Sequence, residues 1–266
     1  MRLTRRTRLA GIALIAVGSL TLAACGSDDG GSGEKSGGGG IITANSNEPA
    51  NPLIPTATNE VGGGNIIDLI FAGLISYKTD GSSENEMAES IESEDNITWT
   101  VTLKADQKFS DGSPVTAASF VDAWNYGALA ANKQLSSYFF YPIEGTDENG
   151  NTVEGAETVS GLNVVNESSF TIKLKQAESD FPGRLGYSAF FPLPASAFDD
   201  MAAFGEKPTG NGPYVLAEWN KPADATLLPN KEYKGVRPAQ NDGITLKFYT
   251  DPEAAFTDVE AGNLDV

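Results

Sequence analysis

The stretch from Trp99 to Ala128 constrains the fold of this chain more than any other. Ile97, Trp99, Val101 and Leu103 alternate with Thr98, Thr100, Thr102 and Lys104. A period of two sends the apolar row to a core and the polar row to water, which describes a half-buried strand. Asp111-Gly112-Ser113-Pro114 then gathers turn formers. Thr116 suits a helix N-cap, because its hydroxyl can accept from a free backbone N–H of the first turn. Phe120, Trp124 and Ala128 follow at i, i+4 and i+8 as a packing stripe. The stretch therefore reads as a strand, a tight turn and a capped helix, a corner where sheet meets helix.

The chain has 266 residues, 40% of them hydrophobic, enough for one large or two small domains. Its formal net charge is −18 and it has no histidine. An acidic surface repels phosphates, which argues against nucleic-acid binding. The missing imidazole removes the commonest general base and transition-metal ligand, so a Ser-His-Asp triad and a histidine zinc site are excluded. No metal site and no cofactor is expected. Cys25 is the only cysteine, so the chain cannot close a disulfide within itself.

The N-terminus reads as an address. Arg2, Arg5, Arg6 and Arg8 precede an uncharged apolar run, Leu9 to Ala24, shorter than the ~20 residues of a spanning helix. The run ends in Leu22-Ala23-Ala24-Cys25. Small residues followed directly by cysteine resemble a bacterial lipobox. That resemblance implies a lipoprotein signal peptide over 1–24 and a diacylglycerol on Cys25, the alternative being an incidental thiol after an ordinary signal. Loss of four arginines and no acid would take the net charge from −18 to −22. The anchor would then rest on acyl chains alone, and two or more suffice. Residues 25–40 form a flexible tether: Gly26 to Gly40 holds no apolar residue. Its reach is ~5–6 Å times the square root of its length.

Further along, Ile41 to Ala44 reads as a strand and Asn47 to Leu53 as a proline-broken loop. Val61-Gly62-Gly63-Gly64 precedes a helical stripe of Ile66, Ile67, Ile70, Phe71 and Leu74, and no Gly-Lys-Ser/Thr follows to make a phosphate loop. Glu84 to Asp95 carries six acids in twelve residues and reads as a solvated edge. Tyr138-Phe139-Phe140-Tyr141 is a run of four aromatics, either core packing or the wall of a cleft. Gly161 to Val165 and Phe170 to Lys175 read as paired strands around Asn166-Glu167-Ser168-Ser169. A short helix is expected over Ala195 to Phe204 and another over Asp251 to Ala261. Thr209-Gly210-Asn211-Gly212-Pro213-Tyr214 reads as a tight entry into a strand.

Several of these stretches, in this order, resemble one family. They are Lys108-Phe109-Ser110-Asp111-Gly112-Ser113-Pro114-Val115-Thr116-Ala117, Phe71-Ala72-Gly73-Leu74, Gly210-Asn211-Gly212-Pro213-Tyr214, Leu227-Leu228-Pro229-Asn230-Lys231-Glu232-Tyr233 and Ala261-Gly262-Asn263-Leu264-Asp265. The family is the extracytoplasmic solute-binding proteins of peptide-type ABC importers. The likeness runs from about Ile41 to Val266, with Ala72 standing where an acid is usual, and it implies a helix at Phe181-Pro182.

The resemblance implies an α/β, periplasmic-binding-protein-like (type II) lobe over 41–266, with a mixed sheet, flanking helices and a small subdomain at about 87–190. A second lobe would lie beyond Val266, so that the chain is the first part of a longer protein and binds weakly or not at all by itself. It implies capture of oligopeptides or dipeptides on the outer face of the cytoplasmic membrane, without catalysis, for ABC permease subunits, by a monomer. Thr56, Ala57, Thr58 and Asn59 would border the ligand cleft, and Tyr138 would face the peptide. Other readings stay open: another family solute such as an oligosaccharide, a carboxylate-based glycosidase, or a surface lipoprotein that only makes interactions.

Overall fold

The computed structural model describes residues 39–266, so the leader, Cys25 and residues 26–38 of the tether lie outside the described residues. The elements in the first part are β1 (Ile41–Ser46), α1 (Val61–Ile70), β2 (Ile75–Tyr77), β3 (Ser83–Asn85), β4 (Ala88–Glu92), β5 (Thr98–Leu103) and α2 (Ala117–Ala128). Then come β6 (Leu162–Asn166), β7 (Ser169–Lys173), α3 (Met201–Glu206), β8 (Tyr214–Asn220), β9 (Asp224–Pro229), β10 (Gly243–Phe248) and α4 (Pro252–Glu260). They build two four-stranded sheets, β1-β10-β9-β8 and β4-β5-β7-β6, and the ribbon β2-β3. In the first sheet β1 runs parallel to β10 while β9 is antiparallel to both its neighbours, a mixed sheet in an α/β fold. Among the described residues no helix is long and apolar enough to cross a membrane.

The alternation around Trp99 does what its period requires. Trp99 pairs with Ile172 and Val101 with Phe170, and all four are buried. Thr116 takes an extended backbone and opens α2 with a capping box: its Oγ1 accepts from Ser119 N, and Ser119 Oγ accepts from Thr116 N. The stripe of α2 then lies on that sheet. Phe120 stacks on Phe170 at 5.8 Å between centroids, and Trp124 meets Phe170 edge-on at 5.5 Å. Trp124 is wholly buried, and its Nε1 donates to Phe190 O at 3.0 Å, so its one polar atom is satisfied.

Four expectations need correction. The glycines before the Ile66 stripe form the first turn of α1 rather than preceding it. A Cβ at Gly62 would stand 2.4 Å from Asn47 O, so the helix starts there only because that side chain is missing. Phe71 and Leu74 are in the core but lie past the helix end. The segment 195–204 is two pieces, a 3-10 turn Ala195–Phe198 and then α3, because Asp200 leaves helical geometry to accept from Ala203 N. Phe181-Pro182 begins only a single 3-10 turn, Phe181–Arg184.

The end of α1 shows how distant segments fix the core. Its last carbonyls have no partner within the helix. Gly212 N donates to Ile70 O at 2.8 Å, and a Cβ at Gly210 would sit 1.8 Å from that oxygen. Asn211, 1% exposed, accepts from Ala72 N and donates to Ala72 O, each at 3.0 Å. One side chain thus satisfies both backbone groups of a buried residue, as a neighbouring strand would. At the far edge of the first sheet, Thr43 N and Oγ1 both donate to Asp265 Oδ2 at 2.8 Å. Val266 N donates to Thr43 O, and Asn45 N donates to Val266 O.

Candidate functional site

A cavity of about 540 Å³ opens beside α1, lined by Asn59, Asp68, Ser76, Tyr77, Tyr187 and Arg237 among others. That volume lies in the range of sites for small ligands. Its parts come from the loop before α1, α1 itself, β2 with a residue shortly before it, the segment around Tyr187, and two single residues, Glu86 just after β3 and Arg237 between β9 and β10.

A buried ion pair forms part of the cavity wall. Glu86 is wholly buried, against the expectation that 84–95 is a solvated edge. Arg237 Nε donates to Glu86 Oε1 at 3.1 Å and to Oε2 at 3.2 Å, and the Tyr233 hydroxyl donates to Glu86 Oε1. Arg237 N in turn donates to the Tyr233 oxygen at 3.0 Å. Burial, then Glu86, pushes the Tyr233 hydroxyl well above the ordinary tyrosine value. The remaining Arg237 nitrogens donate to Asp68 O at 3.2 Å and Phe71 O at 3.3 Å, which caps the negative end of α1 with a cation. Sequence reading missed this group because Glu86 and Arg237 are 151 positions apart; a lone arginine near the family-like Asn230-Lys231-Glu232-Tyr233 was the only trace.

Asp68 also lines the cavity and shows surface to it. Desolvation by the surrounding protein raises its pKa above the ordinary 3.8, and the charge of Arg237 opposes that only in part. The hydroxyls of Tyr77 and Tyr187 are raised by burial first, with Asp68 close enough to each to add. At the other end of the site, Glu60 caps α1 by accepting from Gly63 N through both carboxylate oxygens, at 3.1 and 2.9 Å.

Next to the cavity runs a row of aromatic rings. Tyr187 stacks on Phe139 at 4.1 Å between centroids, and Phe139 meets Tyr138 at 4.6 Å. Tyr138 is 52% exposed and Tyr187 41%, whereas Phe140, next in the same run, is wholly buried against Phe190. The four-aromatic run thus splits into core and surface.

The residues expected at the cleft divide in the same way. Asn59 lines the cavity and is exposed; Thr58 lines it too, with its hydroxyl donating to Pro52 O and Ile54 O. Thr56 and Ala57 are buried, and Thr56 Oγ1 donates to Gln134 Oε1 at 2.8 Å. Tyr138 stands in the aromatic row rather than among the lining residues of the cavity. Cys25 lies outside the described residues. Among the described residues no cluster of three or more potential metal ligands occurs.

Comparison with known proteins places this geometry. Residues 83–266, more than half of the chain, match the profile of the bacterial extracellular solute-binding proteins, family 5 middle. The oligopeptide-binding protein OppA of Bacillus subtilis is 28% identical over 263 residues, which cover 96% of this chain and 48% of that protein. The periplasmic oligopeptide-binding protein OppA of Escherichia coli is 30% identical over 188 residues, 67% of this chain and 34% of that one. Among solved structures, the murein tripeptide binding protein MppA of Escherichia coli superposes with a TM-score of 0.74 at 23% identity, covering 84% of this chain and 44% of its own. The chain therefore spans about half the length, or less, of these relatives.

Proposed function

This chain belongs to the bacterial extracellular solute-binding proteins, family 5, and on that premise we propose that it captures oligopeptides or dipeptides outside the cytoplasmic membrane for an ABC permease. The members of this family bind solutes and are not enzymes, and the relatives above are peptide-binding proteins by name. The observation that carries the reading is the aromatic row Tyr138–Phe139–Tyr187, exposed at its two tyrosines, leading to the cavity beside Asn59. Stacked rings of this kind offer large contact area with polar tips and little side-chain entropy to lose. An extended peptide brings its own backbone donors and acceptors, so such a surface needs few side-chain contacts to hold it.

In this reading Tyr138, Thr58 and Asn59 border the peptide, while Thr56 and Ala57 hold the loop that presents Asn59. Residues 1–24 are a lipoprotein signal, Cys25 carries the lipid and residues 25–40 hold the body off the outer face of the membrane. The domain spans 41–266, with the sheet β4-β5-β7-β6 inside the subdomain at about 87–190. The protein works as a monomer, without metal or cofactor.

Calorimetry with a mixed tripeptide library tests capture. Weak but saturable heat is expected, in keeping with the weak binding anticipated for this chain by itself, and Tyr138→Ala should weaken it about tenfold, as for loss of an aromatic anchor worth ~1.4 kcal/mol. Absence of heat with every peptide would overturn it, and turnover of a glycoside would favour an enzyme in its place.

A further inference from the structure

The cavity beside the aromatic row holds an anion without a cation of its own. Its lining includes the carboxylates of Glu60, Asp68 and Glu86 against the single guanidinium of Arg237. Two of the three are engaged: Glu60 by the backbone N–H groups of Gly63 and Ala50, Glu86 by Arg237 and Tyr233. Arg237 is committed as well, to Glu86 and to the carbonyls of Asp68 and Phe71. The Asp68 carboxylate has neither a salt bridge nor a hydrogen bond among the described residues, and it shows surface to the cavity. A second orphan lies in the same wall. Ser76 is 5% exposed, lines the cavity, and its hydroxyl has no partner. Buried polar groups left unpaired in a fold are uncommon, and one that shares a cavity with an unpaired carboxylate points to a ligand that completes both.

The ligand's chemistry follows from the lining. The positive end of the α1 dipole is already met by Glu60, so an anion finds no free donor there. A cation would meet the Asp68 charge in a partly desolvated site, where an ion pair is worth more than on an open surface. The rings of Tyr77 and Tyr187 line the same space and offer cation–π contact.

We propose that this cavity is a subsite for a cationic side chain, of the lysine or arginine class, carried by the captured peptide, with Asp68 as its counter-ion. The inference rests on the peptide-capture reading and sharpens it, since it assigns a side-chain preference to a surface that otherwise takes peptides by their backbone.

The test uses the full chain and tripeptides of alanine in which lysine or glutamine replaces the first, second or third residue, with identical termini, followed by calorimetry. At one position lysine should bind about tenfold more tightly than glutamine, and Asp68→Asn should erase that difference while the all-alanine peptide binds as before. Asp68→Glu should restore the preference, which separates a counter-ion from a structural role. Equal binding of lysine and glutamine peptides at all three positions, or a preference that survives Asp68→Asn, overturns the subsite and leaves peptide capture standing. Failure of every peptide, alanine included, overturns both.

Discussion

Arg237→Met should expose how much of the fold depends on a pair that no local pattern announces. Glu86 is wholly buried, and its compensation comes from Arg237 and the Tyr233 hydroxyl. Removing one partner of a fully buried pair costs about 3–5 kcal/mol, because the other charge stays behind in a poor solvent. Here the Arg237 side chain is 35% exposed, so water can reach part of the vacated space. That moves the expectation to the low end, about 3 kcal/mol, with the carbonyls of Asp68 and Phe71 losing donors in the same step. In a domain of this size the melting midpoint then falls by about 6–12 °C, at roughly 2–4 °C per kcal/mol. Glu86→Gln placed on Arg237→Met removes the stranded charge and keeps an acceptor for Tyr233, so the double variant should regain more than half of the loss. Urea denaturation of the four proteins closes the cycle. A single-variant loss under about 1 kcal/mol, or a double variant no better than Arg237→Met, would refute the account.

Other outcomes follow from the same geometry. Asn211→Ala strands the buried N–H and C=O of Ala72, at about 1–3 kcal/mol each, so a loss of about 2–6 kcal/mol in urea denaturation is expected. The Tyr233 pKa is raised in the folded state, so its contribution is complete below the ordinary value of 10.0 and drains away as the pH rises past it. Wild-type stability should therefore fall through the alkaline range, and Tyr233→Phe should flatten that fall in a pH series of thermal melts. Asp68 is also raised, which means that its charge costs stability once it ionises. Asp68→Asn should melt higher than wild type at pH 7 and no differently well below pH 3.8, where both states carry the proton.

Legibility followed the range of the interactions. The alternation from Ile97 to Leu103 and the Thr116 cap were readable because a period of two and a hydroxyl three residues from its N–H are properties of adjacent residues. The order of family-like stretches carried the fold class, since Gly210, Asn211 and Gly212 can only be what they are if something crosses them closely, and α1 does. Glu86 was lost among six acids because nothing within its own segment separates it from its exposed neighbours; burial was decided by Arg237 and Tyr233, about 150 positions later. The loop at Thr56 to Asn59 was placed as a unit, yet alternate fates along four residues depend on Gln134 and on the turn at Ile54, neither of which sequence spacing encodes. The aromatic run split for a like reason: Phe140 faces Phe190, while Tyr138 and Phe139 turn toward Tyr187.

The parallel partnership of β1 with β10 sets an order of events on the chain as it is made. The strand that leaves the ribosome early has its hydrogen-bonding neighbour some 200 residues later, and its outer edge is closed by Thr43 meeting Asp265, 222 positions away. Until then β1 is an unpaired ribbon with half-apolar faces, and no shorter nascent piece can finish that sheet. Closure over such a span is slow. A polypeptide with this wiring keeps its first sheet open until β10 has been made.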